Sequence, residues 1–198
     1  MRVKHVTRLT LSLLCAACSQ HTPPATGPAH PPAAAPPFEA VATIQDVMRY
    51  EVDPSADAIW DSVGSITTDS GTVERQPRTD AEWAALRRDA VILVEATNLL
   101  VMPDRQVSAR EFPSDGPGVF SSAEIQQQLT GHRIEFDGFA LALRGTARKV
   151  LAAIDARDPA ALLKLGEAMD SACEACHLAN WYPHEVIPDL PKDPTPAP

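Results

Sequence analysis

Two proline-rich stretches limit what this chain can fold into. Residues 22–37 read TPPATGPAHPPAAAPP and residues 188–198 read PDLPKDPTPAP. Neither carries the apolar side chains that a core needs, and both favour extended polyproline II. A core must therefore form between them, over about 150 residues, enough for one domain. Within that span no internal repeat is evident, strand-like alternation is rare, and apolar side chains recur at helical spacing.

Four helical segments follow from that spacing. The first runs from about Glu39 to Val63, with Val41, Ile44, Met48, Val52, Ile59 and Val63 on one seam. Pro54 lies inside it, so a kink is expected, with Asp53 capping a restarted helix. A polar loop passes through Gly71 and Pro77. Thr79 or Asp80 then caps a second helix with the seam Trp83, Leu86, Ala90, Leu93 and Leu100. Thr97 interrupts that seam, where its hydroxyl can bond back to the preceding turn, and Pro103 ends the helix. After a loop from Asp104 to Gly118, Ser121 or Ser122 opens a long third helix carrying Ile125, Leu129, His132, Phe136, Phe139, Leu143, Ala147, Val150 and Ile154. Asp158-Pro159 opens the fourth, with Leu162, Leu165, Met169 and Ala172 on its apolar face and Pro183 at its stop. An all-α, antiparallel up-down four-helix bundle is the most economical arrangement of these segments.

The fourth helix ends on Cys173, Cys176 and His177 in the run CEACH. C-x-x-C-H is the signature of covalent c-type haem attachment. Two thiols add across the porphyrin vinyl groups, and the adjacent imidazole ligates the iron. At offsets of three and four residues, all three side chains leave one side of a helix. A zinc half-site is the first alternative, but it needs a second ligand pair, and the other cysteines, Cys15 and Cys18, lie far upstream. A thioredoxin-like pair opens a helix after a strand, whereas this run closes a helical stretch. One covalent haem c in the bundle core, near one end, is the expectation.

Haem is attached to such motifs outside the cytoplasm, and the N-terminus carries the matching export pattern. Arg2, Lys4 and Arg8 precede a short apolar run from Leu9 to Ala17, about half the length needed to span a bilayer. Its end, Leu14-Cys15-Ala16-Ala17-Cys18, resembles the lipobox of bacterial lipoproteins, in which the final cysteine becomes the lipidated first residue. Plain cleavage near Ala17, giving a soluble periplasmic protein, is the alternative. The expected organisation is a signal peptide at 1–18, a Pro/Ala-rich linker at 19–38, the haem domain at 39–185 and a Pro-rich tail at 186–198. Such a protein sits in the periplasm, lipid-anchored to a bacterial membrane. The net charge of −9 becomes three units more negative once the basic signal residues are lost. That balance disfavours nucleic acid and steers the domain towards basic patches on a partner.

With the motif on the last helix and four helices in all, residues 43–183 resemble the class II c-type cytochromes, the cytochrome c′ family. Class I cytochromes c carry the motif near the N-terminus and a methionine after it; here no methionine follows Met169. The resemblance implies a bundle with an axial methionine on the first helix in the low-spin, electron-transfer members. Met48 takes that place, two turns into the first helix and level with the end of the last. Met102 and His132 are rivals for the sixth position, while Met169 shares a helix with His177 and cannot reach the opposite face. One departure from the family is that Asn180 and Trp181 stand where an aromatic and then a basic residue often follow the haem histidine. Trp60, Trp83 and Trp181 read as packing residues.

No catalytic constellation stands out. The leading expectation is a monohaem one-electron carrier that is not an enzyme, exchanging electrons with redox partner proteins, with a homodimer left open. A five-coordinate cytochrome c′ binding nitric oxide or carbon monoxide is the second reading. The haem subunit of an exported dehydrogenase is the third.

Overall fold

A computed structural model describes residues 38–184; the signal, Cys18, most of the linker and the Pro-rich tail lie outside the described residues. Helix α1 (Ile44–Val47), a π-helical segment (Met48–Val52) and α2 (Asp53–Trp60) run on as one rod. Thr43 starts it with a reciprocal capping box, its hydroxyl accepting from the Asp46 N–H at 3.1 Å while Asp46 accepts from the Thr43 N–H at 2.9 Å. Pro54 causes the π segment. It has no N–H to give, and its ring would strike the Tyr50 carbonyl in a regular α-helix. The turn before it widens, and the Asp53 N–H donates to the Met48 carbonyl five residues back. Asp53 is thus the first residue of α2 and not the side-chain cap expected from the sequence.

The polar loop after α2 holds an antiparallel hairpin, β1 (Gly64–Thr68) with β2 (Gly71–Arg75), in which Ile66 faces Val73. Gly64 and Gly71 sit at φ of +143° and +124°, a region other residues avoid. Each opens a strand, and Ile66, Thr67 and Thr68 in β1 and Thr72 and Val73 in β2 are β-branched and prefer the extended chain. Nearly every hairpin residue is exposed, so the hairpin adds nothing to the core.

Helix α3 (Asp80–Leu100) opens with a second capping box, Thr79 with Glu82. Its expected seam is buried, and Thr97 donates its hydroxyl to the Val94 carbonyl at 2.7 Å. Helix α4 (Ser122–Gly131) opens with a third box, Ser121 with Glu124, and α5 (Arg133–Asp155) follows after His132 alone. Asp158 caps α6 (Pro159–Asn180) by accepting from the Ala161 N–H at 2.9 Å. Leu93, Ala90, Ala147, Val150, Leu162 and Met169 are at most 1% exposed and mark the core where α3, α5 and α6 meet. Among the described residues no helix is long and apolar enough to cross a membrane.

The expected all-α, antiparallel up-down four-helix bundle is therefore corrected. Among the described residues the chain forms five helical stretches and a two-stranded sheet. The third segment splits because Gly131, a poor helix former, hands over to His132 at φ −127°, ψ 36°, outside the helical region. The sheet arises from two short β-branched runs, each opened by a glycine, that helical periodicity did not register.

The positions differ sharply in what a substitution should cost. Leu93→Ala should lower unfolding stability by about 2–5 kcal/mol, the usual range for a fully buried leucine. Ile66→Thr in the exposed hairpin should change it by less than about 0.5 kcal/mol. Urea unfolding followed by circular dichroism measures both; equal losses would mean that the hairpin belongs to the core.

Candidate functional site

CEACH occupies the last two turns of α6, as the sequence suggested. The end of that helix is pinned from several sides. Phe120 donates its N–H to the Trp181 carbonyl at 2.7 Å, and Gln128 Nε2 donates to the Ala179 carbonyl at 3.3 Å. The N–H groups of Trp181 and Tyr182 both donate to the His177 carbonyl. Buried Asn180 donates through Nδ2 to the Cys176 carbonyl at 2.9 Å. Around the imidazole, the Trp181 ring stands edge-on at 5.4 Å and the Tyr182 ring lies tilted at 5.8 Å. The Tyr182 hydroxyl donates to Glu174 Oε2 at 2.7 Å, so one carboxylate of the motif's own turn holds the aromatic cover in place.

Cys173, Cys176 and His177 face a cavity closed on the opposite side by the first helical rod. Met48, Val52, Asp53, Ala56 and Trp60 come from that rod, and Phe136, Phe139, Ala140 and Leu143 from α5. Apart from Asp53, the walls are apolar or carry sulfur and imidazole nitrogen. The π turn bears on this directly, because both Met48 and Val52 lie within it.

The start of the rod is held by the α3–α4 loop. The carbonyls of Gln106 and Val107 accept from the N–H groups of Ile44 and Gln45, each at 2.9 Å. Buried Arg105 donates to the carbonyls of Leu99 and Ala42 and approaches Met102 Sδ at 3.0 Å. Those contacts take up α1's unpaired backbone donors and hold the turn that precedes Met48.

The rivals lie elsewhere. Met102 Sδ is the sulfur that faces Arg105, and Met102 does not line the cavity. His132 is exposed at the α4–α5 break, its Nδ1 3.9 Å from Glu135. Met169 is wholly buried in the core and is not among the cavity walls. Cys18 lies outside the described residues. Sequence reasoning missed Asp53 and Arg105, and it took Trp60 for packing alone. The helical seams did contain Phe136 and Phe139, without singling them out.

Burial sets the protonation of the motif. It pushes both thiols up to about 11. Nearby Asp170, Asp53 and Glu174 raise Cys173 further, and Cys173 raises Cys176, whose bond from Asn180 opposes the rise. Burial also holds His177 below the ordinary imidazole value, against the pull of Glu174 and Asp53. At neutral pH the thiols are protonated and the imidazole is neutral, which is the form that ligates metal. A reactive redox pair has the opposite character, with a depressed thiol pKa.

The donor set therefore fits a covalently attached haem: two thiols one helical turn apart, a neutral imidazole beside them and a thioether across the cavity. The cavity between these walls is small, about 70 Å³. Ligand pockets commonly offer ~300–1,000 Å³, so a porphyrin needs more room than this closed cavity offers. No protein-family model, curated protein or solved structure matches the chain.

In the haem-free chain, Cys173 and Cys176 should alkylate about a hundredfold more slowly at pH 8 than an ordinary cysteine, because only the thiolate reacts. The rate should rise with pH towards about 11. Iodoacetamide labelling read by peptide mass spectrometry measures it, and labelling at the ordinary rate would contradict the burial.

Proposed function

We propose that the chain is a monohaem c-type cytochrome that carries single electrons on the periplasmic side of a bacterial membrane. In this reading Cys173 and Cys176 hold the haem by thioethers, while His177 and Met48 are its axial ligands. One observation carries the reading: Met48 and CEACH, far apart in sequence, face the same cavity, and the other candidate ligands do not. The resemblance of the motif and its position to class II cytochromes points the same way.

When bound, a haem supplies exchange of one electron without breaking any bond. The chain's own residues do the rest. Phe136, Phe139 and Leu143 exclude water from the cavity. Trp181 and Tyr182 restrict the imidazole ring, and the Tyr182–Glu174 bond fixes that cover. The neutral His177 and the soft thioether of Met48 form a ligand pair that raises the potential relative to two imidazoles. Membrane attachment through a lipidated Cys18 belongs to the same proposal. Cys18→Ala should move the protein from the membrane fraction to the soluble one, and a soluble wild type starting at another residue would decide for plain cleavage.

Spectra of the oxidised and reduced protein test the ligands. Wild type should be low-spin, show the weak sulfur-to-iron band at the red end of the oxidised spectrum and bind carbon monoxide poorly. Met48→Ala should abolish the band, open the site to carbon monoxide and lower the potential, whereas Met102→Ala and His132→Ala should leave the band intact. A high-spin wild type that takes up carbon monoxide or nitric oxide readily would favour the gas-binding cytochrome instead.

A further inference from the structure

Trp60 has two faces. On one it lines the cavity that holds Met48 and CEACH; on the other it lines an outer groove of about 400 Å³ between α2 and α6. The groove floor is apolar: Ile59 and Val63 on one side, Leu162 and Leu163 on the other. Leu163 is 57% exposed. The indole is fixed in this position. Its Nε1–H donates to the Gly166 carbonyl at 3.2 Å, and a Cβ on Gly166 would lie 3.4 Å from its Cδ1. Trp60 thus packs against bare α6 backbone as a wall one side chain thick.

Two exposed carboxylates, Glu167 and Asp170, line the same groove. Neither forms an ion pair among the described residues. Asp61, just past α2, differs in that Arg75 of the hairpin neutralises it at 3.2 Å. Lys164 is exposed on α6 but does not line the groove. An apolar floor with an unneutralised acidic rim suits an apolar side chain flanked by lysine or arginine. It disfavours a second copy of this chain, since a two-fold contact would set the rim of one acidic subunit against the same rim of the other.

We propose that this groove is the docking surface for a basic one-electron redox protein, with Trp60 as the packed wall between the partner and the haem cavity. The purpose of the surface rests on the haem reading above. One electron passes between the partner's metal centre and the haem iron; one is oxidised as the other is reduced, and no bond or proton is exchanged. Steering by the rim carboxylates acts on the rate of encounter and fades with salt.

The test uses the full haem-loaded chain and a lysine-rich class I cytochrome c as the one-electron probe. Stopped-flow electron exchange at low ionic strength should slow about tenfold in the double variant Glu167→Gln/Asp170→Asn, and the difference should close as salt is added. The charge-matched variant Glu111→Gln/Asp115→Asn, in the exposed α3–α4 loop, should change the rate much less. Independently, addition of the probe to the reduced protein should shift the indole N–H signal of Trp60, assigned by its loss in Trp60→Phe, and leave those of Trp83 and Trp181 in place. Equal slowing by the two double variants, or movement of the Trp181 signal with Trp60 unmoved, would overturn the proposal. A chain without haem would give no electron exchange at all, and the Trp60 signal would still decide the docking site separately.

Discussion

Pro54 cannot donate a backbone hydrogen bond, and the geometry of the site depends on how the first helix absorbs that loss. The rod does not break. It widens for five residues, and those residues include Met48 and Val52, which face the cavity. A π turn shifts the angular register of everything beyond it relative to a uniform α-helix. Asp53, Ala56 and Trp60 therefore reach the cavity from a different phase than 3.6-residue spacing alone would give. The N-terminal end of the rod is tied down by Arg105 and by the Gln106 and Val107 carbonyls. Met48 is the first residue of the widened turn, directly after that fixed start.

Desolvation governs the chemistry of the opposite wall. The end of α6 is closed over by Trp181 and Tyr182, and the cost of placing charge there keeps Cys173, Cys176 and His177 neutral. The carboxylates of Asp53 and Glu174 oppose that effect at His177 and reinforce it at Cys173. A neutral, soft donor set in an apolar cavity binds a transition metal in a hydrophobic macrocycle better than it binds a hard cation. The same burial gives the thiols little reactivity of their own, so they suit thioether formation with a haem placed between them more than thiol–disulfide exchange.

Much of this was legible in the sequence, and the misses have definite causes. The apolar seams of α3, α5 and α6 follow 3.6-residue spacing because each helix buries one face, and Thr79, Ser121 and Asp158 mark the starts of α3, α4 and α6 by ordinary capping chemistry. CEACH was legible because its spacing is itself chemical. The hairpin was not: its strands are short, exposed and threonine-rich, so no buried alternation betrays them. The α4–α5 break turns on a single glycine inside an otherwise continuous seam. Arg105 was invisible because its partners are backbone carbonyls, which no side-chain pattern records. Trp60 read as packing, which it is, and only the fold reveals that it packs between two cavities.

The central claim is that Cys173 and Cys176 are the attachment points of one haem. The most direct measurement is the intact mass of the denatured protein, produced in a bacterial periplasm equipped for haem attachment. The account predicts a mass one haem above the processed polypeptide, with no alkylatable thiol at Cys173 or Cys176, and the bare polypeptide mass for Cys173→Ala/Cys176→Ala. A wild-type protein at the bare polypeptide mass, with both thiols free, would contradict it.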